Sequence, residues 1–276
     1  ITHIIKSLIF NRMPLIVAAV TPHPPLLLPT VGQEKGLQQV AKTKQALELL
    51  EQDLYLAKPD VVVIISPHEG LFPDAFVVNA HTQFLSSYEQ FGDLVTKESW
   101  KGHPDFAAKV SHAGNMSDIP IRLISEEKLS HGASIPLHYL TAHLPDIKIV
   151  PIGFSGLTPS AHLDFGSLLK ETIMNHGKRV AVIASGDLSH CVTADGPAPF
   201  DPKGAAFDTQ LIQLLETRNT AGIAQMDQAM IEAAHECGYR SVLVLLGILK
   251  DVDYTFKNYS YEYPLGVGYL VGNFVF

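Results

Sequence analysis

Cysteine is scarce in this sequence. The 276 residues hold two, Cys191 and Cys237. That is too few for a disulfide framework or a four-thiolate zinc cage. A metal in this chain would have to be held by histidine and carboxylate. Positive charge is also short: 20 Lys and Arg stand against 28 Asp and Glu, a formal charge of −8. Nucleic-acid binding needs clustered Lys and Arg, and the lysines here are scattered. Long apolar runs are missing too. No stretch reaches the ~20 residues of a membrane span. Residues 1–16 are mildly apolar but carry Lys6 and Arg12 and show no clear small-residue cleavage site, which argues against a signal peptide. Met13 is the more natural start, so residues 1–12 are expected to be an N-terminal extension and 13–276 the catalytic domain. A reducing cytoplasm is the expected compartment.

What is abundant is histidine, thirteen residues of it, within a chain that is 46% hydrophobic. The apolar pattern alternates strand and helix. Runs at 15–20, 60–66 and 179–184 read as buried strands, apolar on both faces as central parallel strands are. Shorter strands are expected at 76–78, 121–124 and 147–152, and strand-like segments at 254–261 and 267–276. Helical spacing covers 33–57, 105–113, 134–143, 160–176, 203–217, 220–235 and 241–249. No repeat or long linker interrupts them. The expectation is one α/β domain with a mostly parallel or mixed central sheet covered by helices on both faces.

Three strong strands end in loops that carry a histidine: His23 in Thr21-Pro22-His23, His68 in Ser66-Pro67-His68, and His190 in Ser185-Gly186-Asp187-Leu188-Ser189-His190. Ligands of open α/β sheets bind beyond the carboxyl ends of the strands. Parallel neighbours end at the same edge, so the three imidazoles should converge there. His23 and His68 each follow a proline, whose fixed φ stiffens the approach. Two imidazoles and one carboxylate make a facial set that leaves positions open on non-haem iron. Glu69, Asp187 and Glu236 are the candidate carboxylates. Glu69 adjoins His68, and neighbours in extended chain point apart. Asp187 shares a loop with His190. Glu236 sits in Ala234-His235-Glu236-Cys237-Gly238, a break between two helices. His131, ahead of a helix start, is placed to face a bound anion.

Taken in order, Thr21-Pro22-His23-Pro24-Pro25, Ser66-Pro67-His68, Ser130-His131-Gly132-Ala133-Ser134-Ile135-Pro136-Leu137, Ser185-Gly186-Asp187-Leu188-Ser189-His190 and Glu236-Cys237-Gly238 resemble the motifs of class III extradiol ring-cleavage dioxygenases. The type is the catalytic-subunit family of protocatechuate 4,5-dioxygenase. Each motif is short; the ordered set, from Pro14 to the C-terminus, carries the resemblance. It implies Fe(II) held by His23, His68 and Glu236, with His190 as acid/base and His131 near substrate or O2. It also implies ring opening of a catechol beside its two hydroxyls, using O2. Family members often associate, some with a small partner subunit, which implies a homo-oligomer. The related Memo family uses two histidines and a cysteine at a comparable site, and here Cys237 directly follows Glu236. Related families also include zinc members. A zinc-dependent hydrolytic enzyme and a non-catalytic Memo-like metal-binding or redox protein are therefore the alternatives.

Overall fold

The computed structural model describes residues 13–276; the extension expected at 1–12 lies outside them. The strands are β1 (Leu15–Thr21), β2 (Val61–Ser66), β3 (Phe76–Asn79), β4 (Gln83–Leu85), β5 (Ser99–Gly102), β6 (Ile121–Ile124), β7 (Lys148–Gly153), β8 (Val180–Ser185), β9 (Thr255–Glu262) and β10 (Tyr269–Val275). The helices are α1 (Pro29–Gln39), α2 (Ala41–Ala57), α3 (Pro104–Met116), α4 (His131–Leu140), α5 (Pro159–Met174), α6 (Pro202–Glu216), α7 (Thr220–Ala224), α8 (Gln228–Ala234) and α9 (Tyr239–Ile248).

All ten strands join one mixed sheet. Its main path runs β4-β5-β7-β2-β8-β1-β10-β9, with β3 bridging β7 and β6. The centre, β7-β2-β8-β1, is parallel; β10 and β9 close one side antiparallel. This is the α/β architecture expected from the sequence.

The central strands explain their own composition. Side chains alternate across a strand, and here they feed two cores. Val61, Val63, Ile65, Val180, Val182 and Ala184 enter one, with Phe106 of α3, Phe165 of α5 and Leu245 of α9. Val62, Ile64, Ala181 and Ile183 enter the other, with Leu47 and Leu50 of α2 and Ile135 of α4. Each fully buried aliphatic side chain contributes ~1.5–3 kcal/mol. A strand buried on both faces cannot alternate with polar residues, which is why these runs are unbroken.

Several boundaries differ from the sequence reading. The helix expected over 33–57 is two, α1 and α2, meeting at Val40. The one expected over 220–235 is also two, α7 and α8, with Asn219 and Asp227 capping them. Helix α4 begins at His131 rather than at 134, because the Ser130 side chain accepts the Ala133 N–H as its cap. The β4–β5 pair carries no signal in the sequence: its strands are three and four residues long, too short for a period-2 pattern.

Candidate metal centre

Strands β2, β8 and β1 are adjacent and parallel, so the loops that leave them open on one edge of the sheet. Ring centroids of His23 and His68 lie 5.1 Å apart. His131, the first residue of α4, stacks on His68 at 4.4 Å with planes 24° apart. Among the described residues, two groups of donor atoms each lie within 4.8 Å: His23, His68 and Cys237, and Asp187, His190 and Cys237. Cys237 belongs to both.

Cys237 reaches this edge through a close backbone contact. A Cβ at Gly186 would stand 2.1 Å from the Gly238 Cα, so the loop after β8 and the loop before α9 meet where both are bare. There the Cys237 N–H donates to the Asp187 carbonyl (3.2 Å), and the Asp187 N–H donates to the Cys237 Sγ (3.2 Å). The sulfur lies 3.7 Å from His23 Nε2.

Glu236 is not in either donor group. Its Oε2 accepts the Tyr239 N–H at 2.5 Å, so the carboxylate bonds the open first turn of α9. It lines a separate cavity of about 430 Å³ with Arg240 and His235. The reason is local. His235 ends α8 in the left-handed region, at φ 51°. Beyond that turn, Cys237 is placed at the sheet edge and Glu236 at the end of α9. Glu69 is also committed elsewhere: its Oε1 accepts the Ser130 N–H (3.0 Å) and hydroxyl (2.6 Å), anchoring the start of α4.

The remaining polar contacts hold the histidines. Asp187 Oδ1 accepts the His23 N–H at 2.8 Å, and its Oδ2 stands 3.9 Å from His23 Nε2. His23 Nδ1 lies 2.9 Å from the Ser185 Oγ, whose hydroxyl donates to the Gly132 carbonyl at 2.5 Å. The Gln90 side-chain amide donates to His131 Nδ1 at 3.3 Å. A Cβ at Gly132 would come within 2.5 Å of Ser66 Oγ and 2.9 Å of His68 Cδ2; only glycine lets α4 start this close to two histidine loops.

Burial dominates the electrostatics. It pushes His23 well below its ordinary pKa, with the like charges of His68 and His190 adding. It also lowers His68 and His190, against the opposing pull of Asp187. His131 falls to about 3, by burial first and then by His23 and His68. Burial raises Asp187 to about 6 and Glu236 to about 7. Neutral imidazoles with free lone pairs are what a cation needs. The thiol of Cys237 is held protonated by burial and by Asp187 and Glu236, and a bound metal cation reverses that balance by deprotonating it.

The donor set suits a mononuclear d-block ion: two imidazoles and a sulfur whose donor atoms lie within 4.8 Å of one another. Next to it lies a cavity of about 710 Å³, with His68, His131, Phe72, Gln90, Glu126 and Lys128 among its walls. That volume accepts a small organic ligand.

The sequence reading did not single out Ser185, Gly132 or Gln90. Ser185 had a signal: alternation from Ala181 and Ile183 puts it on the α4 side of the sheet. Gln90 comes from a turn far away in sequence and had none.

Residues 17–272 match the family model described as the catalytic LigB subunit of aromatic ring-opening dioxygenase. The chain belongs to the LigB family. It is similar to Protein CA_C1420 of Clostridium acetobutylicum, 28% identical over 90% of this chain. A MEMO1 family protein of Methanosarcina mazei is 24% identical over 71% of this chain and 75% of its own length. The 2,3-dihydroxyphenylpropionate/2,3-dihydroxicinnamic acid 1,2-dioxygenase of Paraburkholderia xenovorans is 27% identical over 48% of this chain. The chain spans 55% of the Clostridium protein and 43% of the Paraburkholderia enzyme. In fold, this LigB chain resembles uncharacterized protein JW3007 from Escherichia coli K12. The TM-score is 0.67 at 17% identity, covering 95% of this chain and all of the other. Among the described residues, no helix is long and apolar enough to cross a membrane.

Proposed function

We propose that this chain is a metal-dependent dioxygenase that opens the ring of a catechol-type diol beside its two hydroxyls, using O2. His23, His68 and Cys237 hold the metal. The observation that carries this reading is the convergence of these three donors with His131 and His190 at one sheet edge, beside a ligand-sized cavity. An iron(II) ion held there would supply Lewis-acid binding of the diol oxygens and an electron path to O2. Cys237 takes the place the resemblance assigns to Glu236. As a thiolate it keeps the single negative charge of a two-histidine, one-anion set.

The protein residues have separable tasks in this reading. His190 is half-buried, free of charge at neutral pH through burial, and faces Asp187. It accepts a proton from a diol hydroxyl and returns it to the opening ring, with Asp187 stabilising the imidazolium in between. His131 stays neutral. Gln90 donates to its Nδ1, so its proton sits on Nε2, where it serves as a fixed donor to an anionic oxygen. Phe72 gives the cavity an aromatic wall.

One observation favours a second reading. A thiolate is a softer donor than the carboxylate of the expected set, and softer ligands suit zinc and copper. Zinc brings no redox chemistry, which would leave hydrolysis with His190 as base, or a Memo-like metal-binding role. Metal analysis of anaerobically purified protein, with a catechol panel read for yellow ring-opened product after Fe(II) and ascorbate, separates the two. Stoichiometric iron and product formation are expected. Zinc alone in every preparation, with no product from any catechol, would sink the dioxygenase reading.

A further inference from the structure

One side chain at this edge has its proton assigned by its surroundings. The Ser185 hydroxyl lies 2.5 Å from the Gly132 carbonyl and 2.9 Å from His23 Nδ1. A carbonyl oxygen only accepts, so the single hydroxyl proton of Ser185 goes to it. Toward His23 the same oxygen can then only accept. His23 must therefore carry its proton on Nδ1, which leaves Nε2 as a bare lone pair. That nitrogen is the one 3.7 Å from Cys237 Sγ and 3.9 Å from Asp187 Oδ2.

The Gly132 carbonyl is open to Ser185 for a reason written in the sequence. In helix α4 its i→i−4 partner would be the N–H of residue 136, and residue 136 is proline. Proline has no N–H to give. Ser185 itself is fully buried, so water does not compete for either contact.

We infer that Ser185 is a positioning residue that fixes the tautomer of His23, and that Pro136 enables it by leaving the Gly132 carbonyl to the serine hydroxyl. The link joins three elements: β8 supplies Ser185, the loop after β1 supplies His23, and α4 supplies Gly132 beside His131. An imidazole in the other tautomer would present an N–H to the metal position and would have to shift its proton before binding. A hydrogen-bond partner that orients a ligating histidine in this way changes metal affinity by about 10–100-fold. The inference rests on the proposed ligand role of His23 for its consequence only; the tautomer is a property of the metal-free protein.

The test uses the metal-free 276-residue chain, 15N-labelled at histidine, with the His23 signals assigned by their absence from His23→Gln. In the wild type, His23 Nδ1 should show the protonated nitrogen signature and Nε2 the unprotonated one. In Ser185→Ala the two signatures should average, and Zn2+ affinity, measured against a competing chelator, should drop about 10–100-fold. Ser185→Thr keeps the hydroxyl and should restore both. Pro136→Ala supplies a competing helical N–H for the Gly132 carbonyl and should give partial averaging with a smaller loss of affinity. A wild-type His23 protonated on Nε2 overturns the inference, whether or not any variant folds. So does a Ser185→Ala protein that keeps both the wild-type tautomer and the wild-type affinity. Neither readout depends on whether the chain opens a ring.

Discussion

Histidines gather at both edges of the sheet, and among the described residues only the carboxyl edge groups them with a third donor. At the carboxyl edge, His23, His68, His131 and His190 meet Cys237 and Asp187. At the amino edge, His103 and His176 face each other with Nε2 atoms 3.2 Å apart, beside a cavity of about 380 Å³ that includes Asp60, Lys148 and Lys178. The second pair is as close as the first. What differs is the company. Burial and then His103 push His176 to about 4, and Lys109 and Lys178 push the same way; burial and Lys148 lower His103. Lysine disfavours a cation, and no sulfur or carboxylate completes a donor set there among the described residues. The carboxyl-edge histidines have Cys237 and Asp187 within donor distance; the amino-edge pair has no such third donor among the described residues.

That contrast can be broken in graded ways. The largest effect is expected at the shared sulfur. Cys237→Ala should lose stoichiometric metal altogether, measured by elemental analysis after chelator exchange. Retention of full metal by that variant would remove Cys237 from the centre and return Glu236 to consideration.

Next comes a buried carboxylate that braces the same edge. Asp208 accepts the Ser189 N–H (2.8 Å) and the Tyr261 hydroxyl (2.7 Å). Burial nevertheless raises its pKa to about 6. A carboxyl whose folded pKa is raised stabilises the fold most below its unfolded pKa and loses that contribution as pH rises through 6. Between pH 4 and 7 the wild type should lose up to about 3 kcal/mol that Asp208→Asn does not lose. Denaturant unfolding at the two pH values reads the difference, and parallel pH profiles would contradict it.

Glu236→Ala should be milder. It removes an acceptor from the first turn of α9 and should leave bound metal intact. A parallel loss of metal would place Glu236 in the centre after all. The smallest effect belongs to the amino edge: His103→Ala and His176→Ala should leave metal content and affinity unchanged, checked by the same chelator titration.

Much of this was legible in residue patterns. Unbroken apolar runs such as 61–65 and 180–184 report strands buried on both faces, because no polar residue survives within them. The loops that carry His23, His68 and His190 follow from where those runs stop. The hairpin of β4 and β5 was not legible, since strands this short owe their existence to pairing with β7 and with each other. Nor was the choice between Glu236 and Cys237. The two are adjacent, and both are chemically able to bind a metal.

The sequence by itself determined the parallel core and the edge at which histidines would collect, because hydrophobic periodicity and strand ends are local properties of the chain. That Gly132 falls inside α4, four residues before Pro136, came only with the structure. Only the tertiary structure places Cys237 rather than Glu236 beside the histidines, and Ser185 against His23 Nδ1. Those outcomes depend on contacts between distant segments: Gly186 against Gly238, which delivers Cys237, and Ser185 against Gly132, which turns the lone pair of His23 toward it.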